Sequence, residues 1–267
     1  MMAKKSFGQN FLSDKNIIRK IVEAAEVKPG DLVLEIGPGQ GSLTEGLLEV
    51  GTRVIAVELD EDLLPLLQEK FGEKIELIHG DILSEKTWQK IRPLIGQKKY
   101  SVVANIPYNI TSPILETLFR AEPRPECLTL MVQREVADRL LAAPPETGVL
   151  SIACQLYATG KKVLSVSRGS FRPAPKVDSA VIKLDLRKKW LENIDPEEVL
   201  KIVKAGFSSR RKQLHGNLAK SSRCSSETTK AILKKLGLSE KARAENLSVE
   251  NWVKFYGFLK ENKSEED

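Results

Sequence analysis

The segment Gly37-Pro38-Gly39-Gln40-Gly41 directly follows the apolar run Leu32-Val33-Leu34-Glu35-Ile36. Glycines at such a point let the backbone turn sharply and approach a ligand closely. The spacing is GxGxG, whereas dinucleotide sites favour GxGxxG. Alone, it also suits an ordinary tight turn from strand to helix. Two carboxylates strengthen the ligand reading. Glu58 closes a second apolar run, in Val57-Glu58-Leu59-Asp60. A carboxylate there can accept from both hydroxyls of a ribose, and each charge-assisted bond contributes about 1.5–3 kcal/mol net. Asp81, in His79-Gly80-Asp81-Ile82, follows a third run. It can accept from an adenine amino group while a neighbouring backbone N–H meets a ring nitrogen. Leu59 and Ile82 complete this expected contact set. An open α/β sheet binds ligands at such successive strand ends.

The pattern resembles the class I S-adenosylmethionine-dependent methyltransferases. These differ from dehydrogenases chiefly at the fourth strand, where this chain reads Asn105-Ile106-Pro107-Tyr108. That tetrapeptide resembles the Asn/Asp-x-Pro-Tyr/Phe motif of enzymes that methylate nucleobase amines. An exocyclic adenine amine is a poor nucleophile because its lone pair is delocalised into the ring. The Asn105 side-chain oxygen and the Ile106 carbonyl can both accept from that amine and localise the pair. Pro107 fixes φ, removes a donor and biases Ile106 towards an extended conformation. Tyr108 offers a stacking face, worth roughly 1–3 kcal/mol. No strong base is required, since the amine becomes acidic once methylated. Taken alone, Asn-x-Pro-Tyr also reads as a β-turn. The loop Phe171-Arg172-Pro173-Ala174-Pro175-Lys176-Val177-Asp178-Ser179 is stiffened by its prolines. Phe171 could wall the other face of an extruded base, or be a core phenylalanine.

These residues need a scaffold that brings strand ends together. Strands are predicted over residues 32–36, 53–57, 75–78, 101–105 and 128–133, with later strands over 163–167 and 180–186. Helices are predicted over 14–26, with Ser13 as cap, and over 42–50, 61–71, 111–120, 134–141 and 151–157. Strands separated by helices imply a parallel sheet. The expected fold is α/β: a Rossmann-like class I methyltransferase sheet of seven strands, mostly parallel. Residues 197–207, 228–236 and 249–259 have helical spacing only. A boundary near Lys189 is expected, giving a methyltransferase domain over 1–189 and a small all-helical C-terminal domain over 190–267, the alternative being helices that cover the sheet.

Along nearly its whole length the chain resembles the KsgA/RsmA-type ribosomal RNA adenine dimethyltransferases. The opening Ser6-Phe7-Gly8-Gln9-Asn10-Phe11-Leu12 is similar to that family's N-terminal motif, which assigns cofactor contacts to Asn10 and Leu12. The resemblance also assigns Gly37, Glu58, Asp81 and Asn105 to the cofactor, Asn105 and Tyr108 to the active site, and Phe171 to the target-base wall. Gly39 and Gly41 join the cofactor set through the glycine turn. Gln133–Arg139 fits as well. The implied cofactor is S-adenosyl-L-methionine, leaving S-adenosyl-L-homocysteine. The implied reaction places two methyl groups on each of two adjacent adenosines in the 3′-terminal hairpin of small-subunit (16S) ribosomal RNA. Implied partners are that RNA and the immature 30S subunit, in the cytoplasm, with the enzyme as a monomer. A role in checking subunit assembly is conceivable by the same resemblance. Phe207-Ser208-Ser209-Arg210-Arg211-Lys212-Gln213-Leu214 resembles the family's Phe-x-x-Arg-Arg-Lys segment, but His215-Gly216 departs from the expected Arg-Asn.

Composition narrows the classes. At about 150 residues per domain, 267 residues suit one large domain plus a small one. The chain is 41% hydrophobic and 29% charged, ordinary for a soluble protein. No apolar run nears the roughly 18 residues of a membrane span, and residues 1–6 lack the apolar core of a secretory signal. Cys127, Cys154 and Cys224 are far apart, which disfavours disulfides and a zinc site; no metal is expected. Lys and Arg number 42 against 36 Asp and Glu, a net +6. The excess is uneven. Lys201, Lys204, Arg210, Arg211, Lys212, Lys220 and Arg223 fall between Val199 and Ser226, a stretch with no acid. These are the expected RNA contacts, or else a solvated face. His79 is expected to be structural, and His215 to touch phosphate or solvent. Three other readings compete: a large-subunit RNA methyltransferase of the macrolide-resistance type, a nicotinamide oxidoreductase, and a catalytically idle RNA-binding assembly factor. The loop from Phe171 and the run from Phe207 favour the small-subunit enzyme.

Overall fold

The structure is a computed structural model that describes residues 10–186 and 194–264. Ser6–Gln9 of the opening motif and the boundary expected at Lys189 lie outside the described residues. The described chain forms two compact units. One holds the residues up to Ala137 and those from Thr159 to the end of the sheet. The other holds Asp138–Ala158 and the residues from 194 onwards.

The first unit contains β1 (Phe11–Leu12), α1 (Lys15–Ala25), β2 (Leu32–Ile36), α2 (Ser42–Glu49), β3 (Arg53–Glu58), α3 (Leu64–Phe71) and β4 (Ile75–His79). It continues with α4 (Glu85–Ile95), β5 (Tyr100–Asn105), α5 (Thr111–Phe119), β6 (Cys127–Gln133), β7 (Thr159–Val166), β8 (Phe171–Arg172) and β9 (Ser179–Asp185). Seven strands form one sheet in the order β4-β3-β2-β5-β6-β9-β7. Every neighbouring pair from β4 to β6 is parallel, and β9 runs antiparallel to both β6 and β7. The expected fold class is therefore correct. The chain winds outwards from β2 through β3 to β4, then from β5 to β6, so strand order reverses between β2 and β5. The crevice beyond the strand C-termini at such a switch point is where open α/β sheets bind ligands.

Residue chemistry explains the sheet. All five residues of β2 are buried, as expected for a central strand covered on both faces. Ile18, Ile21, Val22 and Ala25 form the buried stripe of α1. The cap of α1 is Asp14, not Ser13. Its carboxylate accepts from the N–H groups of Asn16 (2.9 Å) and Ile17 (3.3 Å). Three elements of this unit were not predicted, nor was the helix over Leu214–Lys220 in the other. Helix α4 has Pro93 within it, which obscures the helical spacing of Trp88, Ile91 and Ile95. Strands β1 and β8 are two residues each and form a separate antiparallel ladder, with Phe11 opposite Arg172 and Leu12 opposite Phe171.

The second unit is helical: α7 (Val149–Tyr157), α8 (Pro196–Gly206), α9 (Leu214–Lys220), α10 (Ser226–Lys235) and α11 (Val249–Ser264). The short α6 (Arg134–Leu140) runs across the division. The expected division differs in one respect, because α7 belongs with the C-terminal helices and packs against α8 and α11. The Tyr157 hydroxyl donates to Glu197 (2.9 Å) and the Thr147 hydroxyl to the Glu245 carbonyl (2.9 Å). Trp252 centres the core, with ring centroids 6.2 Å from Phe207 and 6.1 Å from Phe255. Among the described residues no helix is long and apolar enough to cross a membrane.

Gly206 sits against this core. A Cβ there would lie 2.6 Å from Trp252 and 2.8 Å from Leu214. Gly206→Ala is expected to destabilise the chain by about 1–3 kcal/mol through overpacking, read as a lowered urea midpoint. An unchanged midpoint would show that the tryptophan has room to shift.

Candidate active site

A cleft of about 270 Å³ opens beyond the C-terminal ends of β2, β3, β4 and β5. Of the expected site residues, Asn10, Leu12, Gly37, Gly39, Glu58, Leu59, Asp81, Ile82, Asn105, Ile106, Pro107 and Tyr108 line it. Gly41 and Phe171 do not.

The glycines of the turn have different jobs. Gly39 has φ +61, and a Cβ there would come 3.1 Å from the Phe11 ring, so glycine lets the cleft floor and the N-terminal segment meet. Gly41 has φ +80 and sits at the N-terminus of α2, where a Cβ would stand 2.3 Å from the Phe71 ring. It packs behind the cleft lining, and this packing with its positive φ accounts for the glycine. Phe171 is placed differently from the expected base wall. It is fully buried, in one apolar cluster with Leu12, Met131 and Val166. Its pairing with Leu12 turns the ring into the core, so it presents no open face to a base.

Glu58 is almost fully buried and is held by the protein's own backbone. Its Oε2 accepts from Gly39 N–H (3.0 Å) and its Oε1 from Asp60 N–H (2.9 Å). Burial raises its pKa, and the Asp60, Gly39 and Leu59 amides oppose that rise. Each carboxylate oxygen keeps a second lone pair for a ligand hydroxyl. Asp81 spends one oxygen on Leu83 N–H (2.9 Å) and keeps the other. Ile82 is fixed through its carbonyl by the Trp88 indole N–H (2.8 Å). Leu59 is exposed at 43%, an apolar edge on the cleft mouth.

At the end of β5, Asn105 donates through Nδ2 to the Asn10 carbonyl (3.2 Å). That bond fixes the amide and leaves Oδ1 as the acceptor. Ile106 is buried, and Pro107 has φ −59 and ψ 133. Tyr108 begins the short turn Tyr108–Ile110, half-buried, and its hydroxyl is hydrogen-bonded to Ser179 Oγ. Burial pushes the phenol pKa up.

The sequence reading missed Glu35. It lines the cleft, is 1% exposed, and neither carboxyl oxygen has a hydrogen-bond partner. Burial pushes its pKa up to about 8; Glu58 adds to the rise, and nearby Thr44, outside hydrogen-bonding geometry, opposes it. The available signal was a lone acid inside an otherwise apolar strand. Glu58 and Asp81 make the lining acidic, and among the described residues no Lys, Arg or His lines the cleft. Such a cleft suits a cationic ligand and disfavours the pyrophosphate of a nicotinamide cofactor.

The seven predicted RNA contacts are all exposed in the helical unit. Arg210, Arg211 and Lys212 surround one shallow depression with Ser209. Lys201 pairs with Glu198, and the charge of Arg223 acts on both. Lys204 lies on α8, and Lys220 ends α9. His215 is not a solvated phosphate contact. Its ring nitrogens bond Gln213 Oε1 (2.7 Å) and Ser226 Oγ (2.9 Å). His79 is exposed, and its carbonyl accepts from Lys90 (3.2 Å). Among the described residues no cluster of three or more His, Cys, Asp or Glu could hold a metal.

A sequence model of the family described as ribosomal RNA adenine dimethylase matches residues 1–261. The chain belongs to that family. This dimethylase-family chain is 44% identical over 264 residues to a ribosomal RNA small subunit methyltransferase A of Synechococcus elongatus, covering 95% of the chain and 94% of that protein. It is 38% identical over 256 residues to the protein of the same name from Dehalococcoides mccartyi, covering 94% and 87%. A solved dimethyladenosine transferase from Plasmodium falciparum superposes with TM-score 0.79 at 28% identity, covering 94% of this chain and 98% of that one. The 23S rRNA methyltransferase ErmE superposes with TM-score 0.76 at 28% identity, covering 94% and 100%. Family and fold together make the chain an S-adenosylmethionine-dependent methyltransferase. The residues fit that cofactor. The glycine turn admits it closely, the acidic lining suits its sulfonium and ammonium charges, and Glu35 has an unfilled partner position.

Glu35 yields a pH prediction. In the folded chain it keeps its proton up to about pH 8, while the unfolded chain loses it near 4.5. Between those values the unfolded state binds fewer protons, so this residue makes stability fall as pH rises. Glu35→Gln is expected to remove that slope. Its melting temperature should gain on wild type steadily across the window. A difference that stays constant with pH would show that the carboxylate is tolerated ionised.

Proposed function

We propose that this chain dimethylates two adjacent adenosines in the 3′-terminal hairpin of small-subunit ribosomal RNA, forming N6,N6-dimethyladenosine. The observation that carries the reading is Asn105, whose amide is locked by the Asn10 carbonyl so that Oδ1 is left as an acceptor in the cleft. Bound S-adenosylmethionine supplies an activated methyl: the N6 lone pair forms the new bond to it, and the old bond's pair stays on sulfur in S-adenosylhomocysteine. Glu58 and Asp81 hold the ribose and adenine of the cofactor. Glu35 faces its cationic portion. Asn105 Oδ1 and the Ile106 carbonyl accept the N6 hydrogens, which localises the lone pair and aligns the amine. Tyr108 stacks on the base. After each transfer the acidic N6 proton leaves to solvent. Phe171 acts indirectly, by clamping Leu12 and so the segment that holds Asn105.

The helical unit supplies the grip on RNA phosphates, led by Arg210, Arg211 and Lys212 with Lys201, Lys204, Lys220 and Arg223 around them. The natural substrate is an immature 30S subunit, met by a monomer in the cytoplasm. The small-subunit target is favoured over a large-subunit one by the 38–44% identity to proteins named for the small subunit, against 28% for ErmE.

Three measurements test this. Mass spectrometry of small-subunit RNA incubated with labelled methyl donor should show dimethyladenosine at adjacent positions; methylation of large-subunit RNA alone would reverse the choice. Asn105→Ala should keep RNA affinity within about twofold and lose about 100-fold in methyl transfer, since alignment and electrostatics carry the step. Undiminished turnover would remove Asn105 from the mechanism. RNA affinity should fall steeply with salt, and changing Arg210, Arg211 and Lys212 together to Gln should flatten the log–log slope by about 2–3. An unchanged slope would make them a solvated face.

A further inference from the structure

Tyr108 is held at two ends. Its backbone enters the turn after Pro107, and the Thr111 hydroxyl donates to its carbonyl (3.3 Å). Its hydroxyl meets Ser179, which lies outside the cleft lining. Ser179 is fully buried and is the first residue of β9, opposite Gln133 of β6 on one side and Val166 of β7 on the other. The preceding residue is also fixed. The Asp178 carbonyl accepts from Arg134 N–H (3.0 Å), and its carboxylate meets the Arg134 guanidinium (3.3 Å) and Arg168 N–H (3.2 Å). The serine hydroxyl is therefore an anchor set where the ends of three paired strands meet. No chemistry in the reaction needs it directly.

We propose that Ser179 is a positioning residue: by holding the Tyr108 hydroxyl it fixes the ring plane against which the target adenine is presented, and so favours dimethyl over monomethyl product. This rests on the reading that the substrate is an adenine stacked on Tyr108. Adenine N6 has two hydrogens, so Asn105 Oδ1 and the Ile106 carbonyl can both be engaged in the first transfer. N6-methyladenine has one, and one of those acceptors loses its partner. Alignment in the second transfer then leans more on the stacking face. A ring free to rock penalises the second methyl more than the first. The raised phenol pKa keeps the Tyr108 hydroxyl protonated and able to hold the serine across the neutral range.

The test is single-turnover methylation of small-subunit RNA by wild type, Ser179→Ala, Tyr108→Phe and the double variant, with nucleosides quantified by mass spectrometry. RNA affinity and melting temperature are measured alongside. Ser179→Ala and Tyr108→Phe should each slow the second transfer by about tenfold and the first by less, with RNA affinity unchanged, so that N6-methyladenosine accumulates. The double variant should be no worse than either single one, because both remove the same bond. A wild-type product ratio in Ser179→Ala, equal slowing of both transfers, or losses that multiply in the double variant would overturn the proposal. Should Ser179→Ala fail to fold, Tyr108→Phe decides: accumulated monomethyl product supports the anchor, and a wild-type ratio overturns it. Wild-type protein that methylates no adenosine would overturn the functional reading and this role together. Dimethylation by wild type with unchanged variants would overturn this role alone.

Discussion

Ile36 at the end of β2 pairs with Val57 of β3 on one side and Ala104 of β5 on the other, and Glu58 lies opposite His79 of β4. This parallel register makes four strands stop at one level, so Gly37, Glu58, His79 and Asn105 leave the sheet side by side. Backbone bonds carry the ladder past the strand ends, from Gly37 N–H to the Val57 carbonyl and from Gly80 N–H to the Glu58 carbonyl, both 2.9 Å. Register matters here because side chains alternate. A slip of one residue in β3 would put Val57 where Glu58 now accepts from Gly39, and would turn the carboxylate to the other face. The site is thus a consequence of strand pairing deep in the core.

The same core sets the electrostatics. Glu35 and Glu58 sit on adjacent strands in one cleft, yet their surroundings differ. Glu58 is met by backbone N–H donors that favour its ionised form, and Glu35 by none. Desolvation and a like-charged neighbour both hold Glu35 towards the protonated state. A buried polar group without a partner is costly in the free protein. A ligand donor seated beside Glu35 would relieve that cost, and would thereby add an interaction absent from the free protein. The acidic lining also explains why a glycine turn close to a dinucleotide fingerprint belongs to a different cofactor.

Much of this was legible in the sequence, for local reasons. β2, β3, β5 and β6 are buried on both faces, so each reads as a continuous aliphatic run, and functional residues at their ends are found by following the runs outwards. What was not legible depends on partners distant in the chain. Gly39 and Gly41 are alike in the motif, but only Phe71 decides that Gly41 is a packing residue. Phe171 lies in a loop whose composition suggests a base wall, yet pairing with Leu12 buries it. Ser13 and Asp14 are both good caps, and the extended φ of −83 with ψ 107 at Asp14 selects the aspartate. Pro93 disguised α4, and the acid in Leu-Val-Leu-Glu-Ile looked incidental until both its oxygens proved to be without partners.

The division of the chain is the largest such case, and it bears on how the two units are built. A composition shift near residue 189 suggests a catalytic half followed by an appended helical half. The helical unit instead takes Asp138–Ala158 from between β6 and β7. Helix α7 is apolar over most of its length, with Ile152 and Leu156 fully buried, and it packs on α8 and α11. A chain cut after β9 would therefore leave α7 without the helices that cover it, while the C-terminal helices alone would lack α7 from their core. The nominal boundary therefore cuts the helical unit and leaves the sheet unit whole. The chain crosses between the units more than once, so the helices that carry Arg210 and Arg211 draw residues from both sides of the nominal boundary, while the sheet that carries Asn105 lies wholly before it.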